Sequence, residues 1–163
     1  MNEKTINQSI ENKEFQEIIK DLVDNKRVQE MKEYRQHYNI SCYTHCYEAA
    51  YYCYKLCKKW NWDYKSATRG AMLHDMFLYD WRKHQDEYKG FHAFHHGRIA
   101  YNKASKEFEL NDIEKNMILR HMFPVTPIPP KYKEGWLLTI VDKYCTMAEC
   151  FEYYFGDGKN KKM

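Results

Sequence analysis

No apolar run in the 163 residues approaches the roughly 20 needed to cross a bilayer. The opening stretch Met1-Asn2-Glu3-Lys4-Thr5 has neither a basic nor an apolar leader region, so a cytoplasmic protein is expected. Charge of one sign is also scarce. The net charge is +3, and the tail from Asp157 to Lys162, with one aspartate and three lysines, supplies +2 of it. A body this close to neutral is not a surface for coating nucleic acid. Internal repeats, a Gly-rich phosphate loop, a G-x-S-x-G elbow and a C-x-x-C ribbon are all missing, and with them the chemistry those motifs carry.

What is present is helical periodicity, with almost no strand signal. Ile6, Ile10, Phe15, Ile18, Ile19, Leu22 and Val23 share one helical face, and Val28, Met31 and Tyr34 suggest a short second helix. Ser41 is an N-cap for a long helix to about Trp60, and another helix covers about Tyr64 to Leu78. Gly90 to His96 reads as glycine-flanked, histidine-rich turns, followed by a helix over Gly97 to Phe108. Asn111 with Glu114 forms a capping-box start for a helix over Ile113 to Met122. Pro124, Pro127, Pro129 and Pro130 force an extended loop, and a last helix runs from about Glu134 to Phe155. The expected fold is an all-α bundle of about six or seven helices: a single domain over 1–155, with an N-terminal helical segment (1–35), a core (41–150) and a flexible basic tail (156–163). The N-terminal segment either covers the bundle or meets a second copy, which leaves a homodimer open.

Four of the six cysteines, Cys42, Cys46, Cys53 and Cys57, fall within one narrow stripe of the long helix. As a metal site they would spread four sulfurs along roughly 22 Å at 1.5 Å per residue, whereas a tetrahedral zinc holds all four at about 2.3 Å. They are read as reduced core residues. The fifteen tyrosines, five of them on that helix, are read as amphipathic packing.

The doublet His74-Asp75 closes the apolar run Ala67 to Leu73. A histidine and a carboxylate at the end of a buried helix are costly without a partner, and a divalent metal is the most economical one. His45 lies close in angle to the cysteine stripe, at about −60° from Cys42 where Ala49 is at about −20°. Asp142 shares the face of Leu138 and Cys145. Three helices can thus converge on one ion through two imidazoles and two carboxylates, a mixed set suited to Fe, Mn, Co, Ni or Zn.

The order His45, His74-Asp75, Asp142 resembles the HD-domain superfamily of metal-dependent phosphohydrolases, whose signature is His, His-Asp, Asp on a helical bundle. The resemblance covers roughly Ser41 to Glu149. His96 before Gly97-Arg98-Ile99-Ala100 is similar to the "His, Gly or Pro, two residues, Ala" element of members that bind two metals, and His121 stands where such members place a further ligand. The resemblance therefore implies a six-residue set, His45, His74, Asp75, His96, His121 and Asp142. By the same resemblance the set would hold two divalent transition-metal ions, Fe or Mn first and Zn, Co or Ni next, with Asp75 as the bridge. His95 is the rival to His96.

Two ions can activate a hydroxide and neutralise phosphate oxygens during in-line attack, so no side-chain nucleophile is required. The expected activity is hydrolysis of a phosphoester or phosphoanhydride of a small, nucleotide-like phosphorylated substrate, with Asp75, His96 and His121 as the catalytic residues. Arg82, Arg98, Lys143 and Asp80 are the substrate-side candidates, with Asp80 also placed to orient His74 or a water. His37 and His92 are assigned equally to supporting roles and to a solvated surface, and His84 to the surface. Similar six-residue orders occur in hydrolases of symmetrical dinucleoside tetraphosphates and in HD-GYP phosphodiesterases, but this chain has no Gly-Tyr-Pro motif and no His-His pair at His121. The alternative is a mixed-valent di-iron oxygenase like myo-inositol oxygenase, which shares the ligand order. A degenerate binding scaffold would be expected to have lost ligands.

Overall fold

The computed structural model of the chain describes residues 3–83 and 90–155. The basic tail at 156–163 and His84 lie outside the described residues. The elements run α1 (Glu3–Glu11), α2 (Lys13–Val23), α3 (Lys26–Glu30), β1 (Arg35–His37), β2 (Ile40–Ser41), α4 (Cys42–Lys59), α5 (Tyr64–Leu73), α6 (His92–Glu107), α7 (Asp112–Arg120) and α8 (Lys133–Phe155). The architecture is the all-α bundle read from the sequence, with a single two-stranded antiparallel hairpin among the described residues.

Capping residues set most of the boundaries. Ser41 Oγ accepts from Thr44 N at 3.1 Å and starts α4, and Asn111 and Glu114 complete the capping box of α7. Asn12 breaks the expected first helix in two by accepting from Phe15 N at 3.0 Å, which starts α2 and raises the helix number to eight among the described residues. Ile10, expected on the apolar face, is consequently exposed, while Phe15, Ile19 and Leu22 of α2 are fully buried.

The N-terminal segment covers the bundle. Phe15 meets Tyr47, Tyr51 and Tyr54 of α4 ring to ring, and Gln16 Nε2 donates to Tyr47 Oη at 2.7 Å. The tyrosines of α4 thus serve this packing. The four stripe cysteines are free and buried in the core with Ala49 and Ala50. Burial pushes the Cys57 thiol up to about 12, the behaviour of an inert core thiol.

Two boundaries differ from the expectation in ways that shape the site. Helix α5 stops at Leu73 rather than about Leu78: Phe77 N bonds Asp75 O at 2.7 Å and Leu78 adopts φ 56°, so the chain turns sharply just after the doublet. Helix α6 starts at His92 rather than Gly97, with Phe91 as its N-cap, so the histidine cluster is helical rather than a set of turns.

Candidate metal centre

The burial of Ala67, Ala71, Met72 and Leu73 carries the end of α5 into the core, and His74 and Asp75 go with it. α4 brings His45, α8 brings Asp142, α6 brings His96 and the end of α7 brings His121, all buried. Among the described residues three groups of metal-competent donors result: His45, His74, Asp75 and Asp142; Asp75, His96 and His121; and His37, His45 and Glu149, each with its ligand atoms within 4.8 Å of one another. Asp75 belongs to the first two. Its Oδ2 lies 3.4 Å from His74 Nε2, while its Oδ1 lies 3.2 Å from His96 Nε2 and 3.4 Å from His121 Nε2.

Each of the four imidazoles is anchored through Nδ1. His74 donates to Ala71 O at 2.7 Å, His96 to His92 O at 3.2 Å and His121 to Ile118 O at 2.9 Å. A carbonyl only accepts, so these Nδ1 atoms carry the proton and turn the lone pair of Nε2 toward Asp75. His45 Nδ1 donates instead to the Glu149 carboxylate at 2.8 Å, which leaves Nε2 3.1 Å from Asp142 Oδ1. This carboxylate–histidine arrangement is the usual support of a metal-bound imidazole.

Three observations test the fit of a metal. His74 Nε2 and Asp75 Oδ1 are buried with no hydrogen-bond partner, a costly condition that a cation relieves. His96 Nε2 and His121 Nε2 face each other at 2.9 Å, close to the roughly 3 Å between two nitrogens bound at about 2.1 Å and a right angle on one ion. Burial pulls the His121 imidazole down, against Asp75 and together with His74 and His96, so a proton is a poor substitute between that pair. The residues present fit a divalent transition metal.

Charge differs across the centre. Burial works to lower His45 and His74, yet Asp142 and Glu149 on one ring, and Asp75 on the other, hold both well above the ordinary histidine value. Burial likewise works to raise Asp75 and Asp142, and the surrounding imidazoles keep both carboxyls well below the usual carboxylate range.

Sterics explain the Gly97 and Ala100 positions. A Cβ on Gly97 would come within 2.9 Å of Ile118 O and 3.5 Å of His121 Cε1, so only glycine lets α6 approach α7 closely enough for His96 to meet His121. Ala100, one turn on, is fully buried in the same crossing.

A family model described as the HD domain matches residues 42–147. The chain belongs to the HD-domain family. Comparison with curated proteins and with solved structures finds no significant match. HD domains are in general metal-dependent hydrolases that bind divalent metals and act on small molecules, and the buried His/Asp clusters are placed where such a metal would sit. No helix among the described residues is long and apolar enough to cross a membrane.

In this HD domain the centre opens on a cavity of about 600 Å³, lined in part by Asp75, His96, Asp142, Lys143, Trp81 and Phe91. A second cavity of about 1240 Å³ adjoins it and shares His37, Trp81, Thr146 and Met147 with it. The outer cavity is lined by Arg35, Asp80 and Arg82. Asp80 accepts from Arg82 N at 3.2 Å and pairs with Lys83 at 3.7 Å. Lys143 Nζ bonds Thr139 O at 3.2 Å beside Asp142. Arg98 is exposed on α6 and is not among the residues lining either cavity. His95 is half-buried outside all three donor groups, whereas His96 is within one.

His37 and His92 are wall residues of the inner cavity. His92 accepts from Tyr79 Oη at 2.8 Å and stacks between Trp81 and His96. Burial and His96 lower its imidazole to about 3, so it is neutral. Two supporting residues escaped the sequence reading. Gln36, buried in the small hairpin, donates from Nε2 to Asp75 Oδ2, and Glu149 anchors His45. Glu149 lies seven residues after Asp142, two turns along α8, and that spacing was the available signal. Gln36 had none, because a three-residue strand carries no readable periodicity.

Proposed function

We propose that this HD domain hydrolyses a phosphoester or phosphoanhydride of a small nucleotide-like substrate, using two divalent transition-metal ions, with Fe or Mn first in order of fit. The observation that carries the reading is the pair of donor groups joined at Asp75 and opening on a cavity of about 600 Å³, within the range of small-molecule sites. His45, His74, Asp75 and Asp142 would hold one ion, and Asp75, His96 and His121 the other. Bound ions would lower the pKa of a water and neutralise phosphate oxygens.

The chain's own residues divide the remaining work. The four Nδ1 anchors keep the imidazole lone pairs aimed inward, and Gln36 holds the Asp75 carboxylate in place. Lys143 stands at the cavity wall to meet a phosphate oxygen. Phe91 offers a face for an aromatic base, and Trp81, stacked on His92 with Arg82 over its ring, helps shield the centre from bulk water. Thr146 is the one hydroxyl-bearing side chain among the described residues that line the inner cavity, and its Oγ1 is engaged with His37 Nε2 at 3.3 Å, which leaves attack to water. Arg82 and Asp80 belong to the outer approach. Six free cysteines suit a reducing, cytoplasmic compartment.

A mixed-valent di-iron oxygenase would use the same six residues, and the walls formed by Trp81, Phe91, Met122 and Met147 suit a water-poor centre. An anaerobic nucleotide panel with Mn or Fe separates the two. Phosphate release without O₂ supports hydrolysis, and turnover that consumes O₂ with a mixed-valent EPR signal selects the oxygenase.

A further inference from the structure

Helix α8 is apolar on both sides. Leu137, Leu138, Val141 and Cys145 face the bundle, while Ile140, Tyr144, Met147, Phe151 and Tyr154 face outward, each residue 54% to 72% exposed. A surface helix ordinarily turns a polar face to water. These five positions follow the alternating four-and-three spacing of a heptad seam, the pattern by which two helices pack knobs into holes. With the exposed Trp136 and Phe155, the stripe presents on the order of 800 Å² of side-chain surface. That exceeds the roughly 300–600 Å² of a typical monomer's largest apolar patch and matches one partner's share of a standard interface.

We propose that a second copy of this chain packs on α8, antiparallel across a two-fold axis between Met147 and Ala148. The middle of the stripe is self-complementary under that reversal, as an isologous interface requires, while Tyr154 lies beyond the paired stretch, opposite the buried Val141. It sets Tyr144 against Phe151, Ile140 against Phe155 and Lys143 beside Glu152, so the exposed charges nearest the axis meet with opposite signs. Met147 and Phe151 lie on the seam and also line the outer cavity. The second copy therefore walls the approach to the metal centre, and the pairing stands whatever reaction the centre performs.

Sedimentation velocity of the full chain from low to high micromolar concentration should give the mass of two chains. The double variant Ile140→Glu with Tyr144→Glu, which touches neither cavity lining, should give the mass of one with unchanged helical content and metal uptake. Ala148→Cys should add an oxidation-dependent link between two copies that the unmodified chain does not form. A single-chain mass for the unmodified protein overturns the proposal, and so does a double variant that still pairs. Binding to anionic phospholipid vesicles by a protein that stays monomeric would do so as well, by giving the stripe to a membrane surface. Absence of the Ala148→Cys link in a protein of two-chain mass overturns the antiparallel arrangement.

Discussion

The two halves of the metal centre share Asp75 and differ in almost everything else. On the His45 side, two imidazoles meet Asp142, Asp75 and the supporting Glu149, so anionic groups outnumber rings. On the His96 side, two imidazoles meet Asp75 alone and their Nδ1 atoms rest on neutral backbone carbonyls; both sides reach the inner cavity, through His96 and through Asp142. An ion on the first side would be held by more charge and by carboxylate support. An ion on the second side, with one carboxylate, would exchange more readily. On this proposal the first position anchors and the second works.

The largest effect should come from removing what the halves share. Asp75→Ala should abolish both metal equivalents and activity, read by elemental analysis beside a phosphate-release assay; full metal retention would break the whole scheme. Next, His96→Ala should lower the content from two equivalents to one, while His45→Ala should lose the tight ion and, with it, order in the centre. Equal losses in the two variants would erase the distinction. Glu149→Gln should then weaken the tight ion by roughly 10–100-fold and leave the His96 side nearly untouched, measurable by competition with a chelator. A shift confined to the weaker ion would reverse the assignment of the halves.

The smallest effect concerns pH. In the metal-free protein His45 and His74 are raised well above 6.5, so the stability of their protonated pairs is complete below 6.5 and is lost as pH rises through their folded values. Asp75 and Asp142, held well below 3.8, stay ionised in this window and add no slope. Metal takes the place of those protons. Uptake should release protons near neutrality, and the Tm gain on metal loading should grow as pH rises above 6.5. A gain that shrinks with pH would show that protons and metal do not compete on this side.

Much of this was legible from residue order and caps. His45, His74, Asp75, His96, His121 and Asp142 are brought together by the structure, and Ser41 and Asn111 begin the helices they were read to begin. Three features were hidden for physical reasons. The stop of α5 at Leu73 depends on a buried backbone turn with Leu78 in the left-handed region, which apolar periodicity does not announce. The start of α6 at His92 was masked because glycine and clustered histidine read as a turn until packing against Trp81 and Phe77 is known. Gln36 reaches Asp75 through a hairpin whose strands have three and two residues, too short for any pattern.

The contact between Gly97 and Ile118 has one more consequence. The Ile118 carbonyl both abuts the α6 backbone at Gly97 and orients the ring of His121. Helix spacing and ligand aim are therefore a single mechanical coordinate rather than two. Mutational drift on the outer face of α6, at Arg98 for example, leaves that coordinate alone. One added methyl at Gly97 would move it, and the damage would register in the colour and spectrum of a bound transition metal before it registered in the melting temperature.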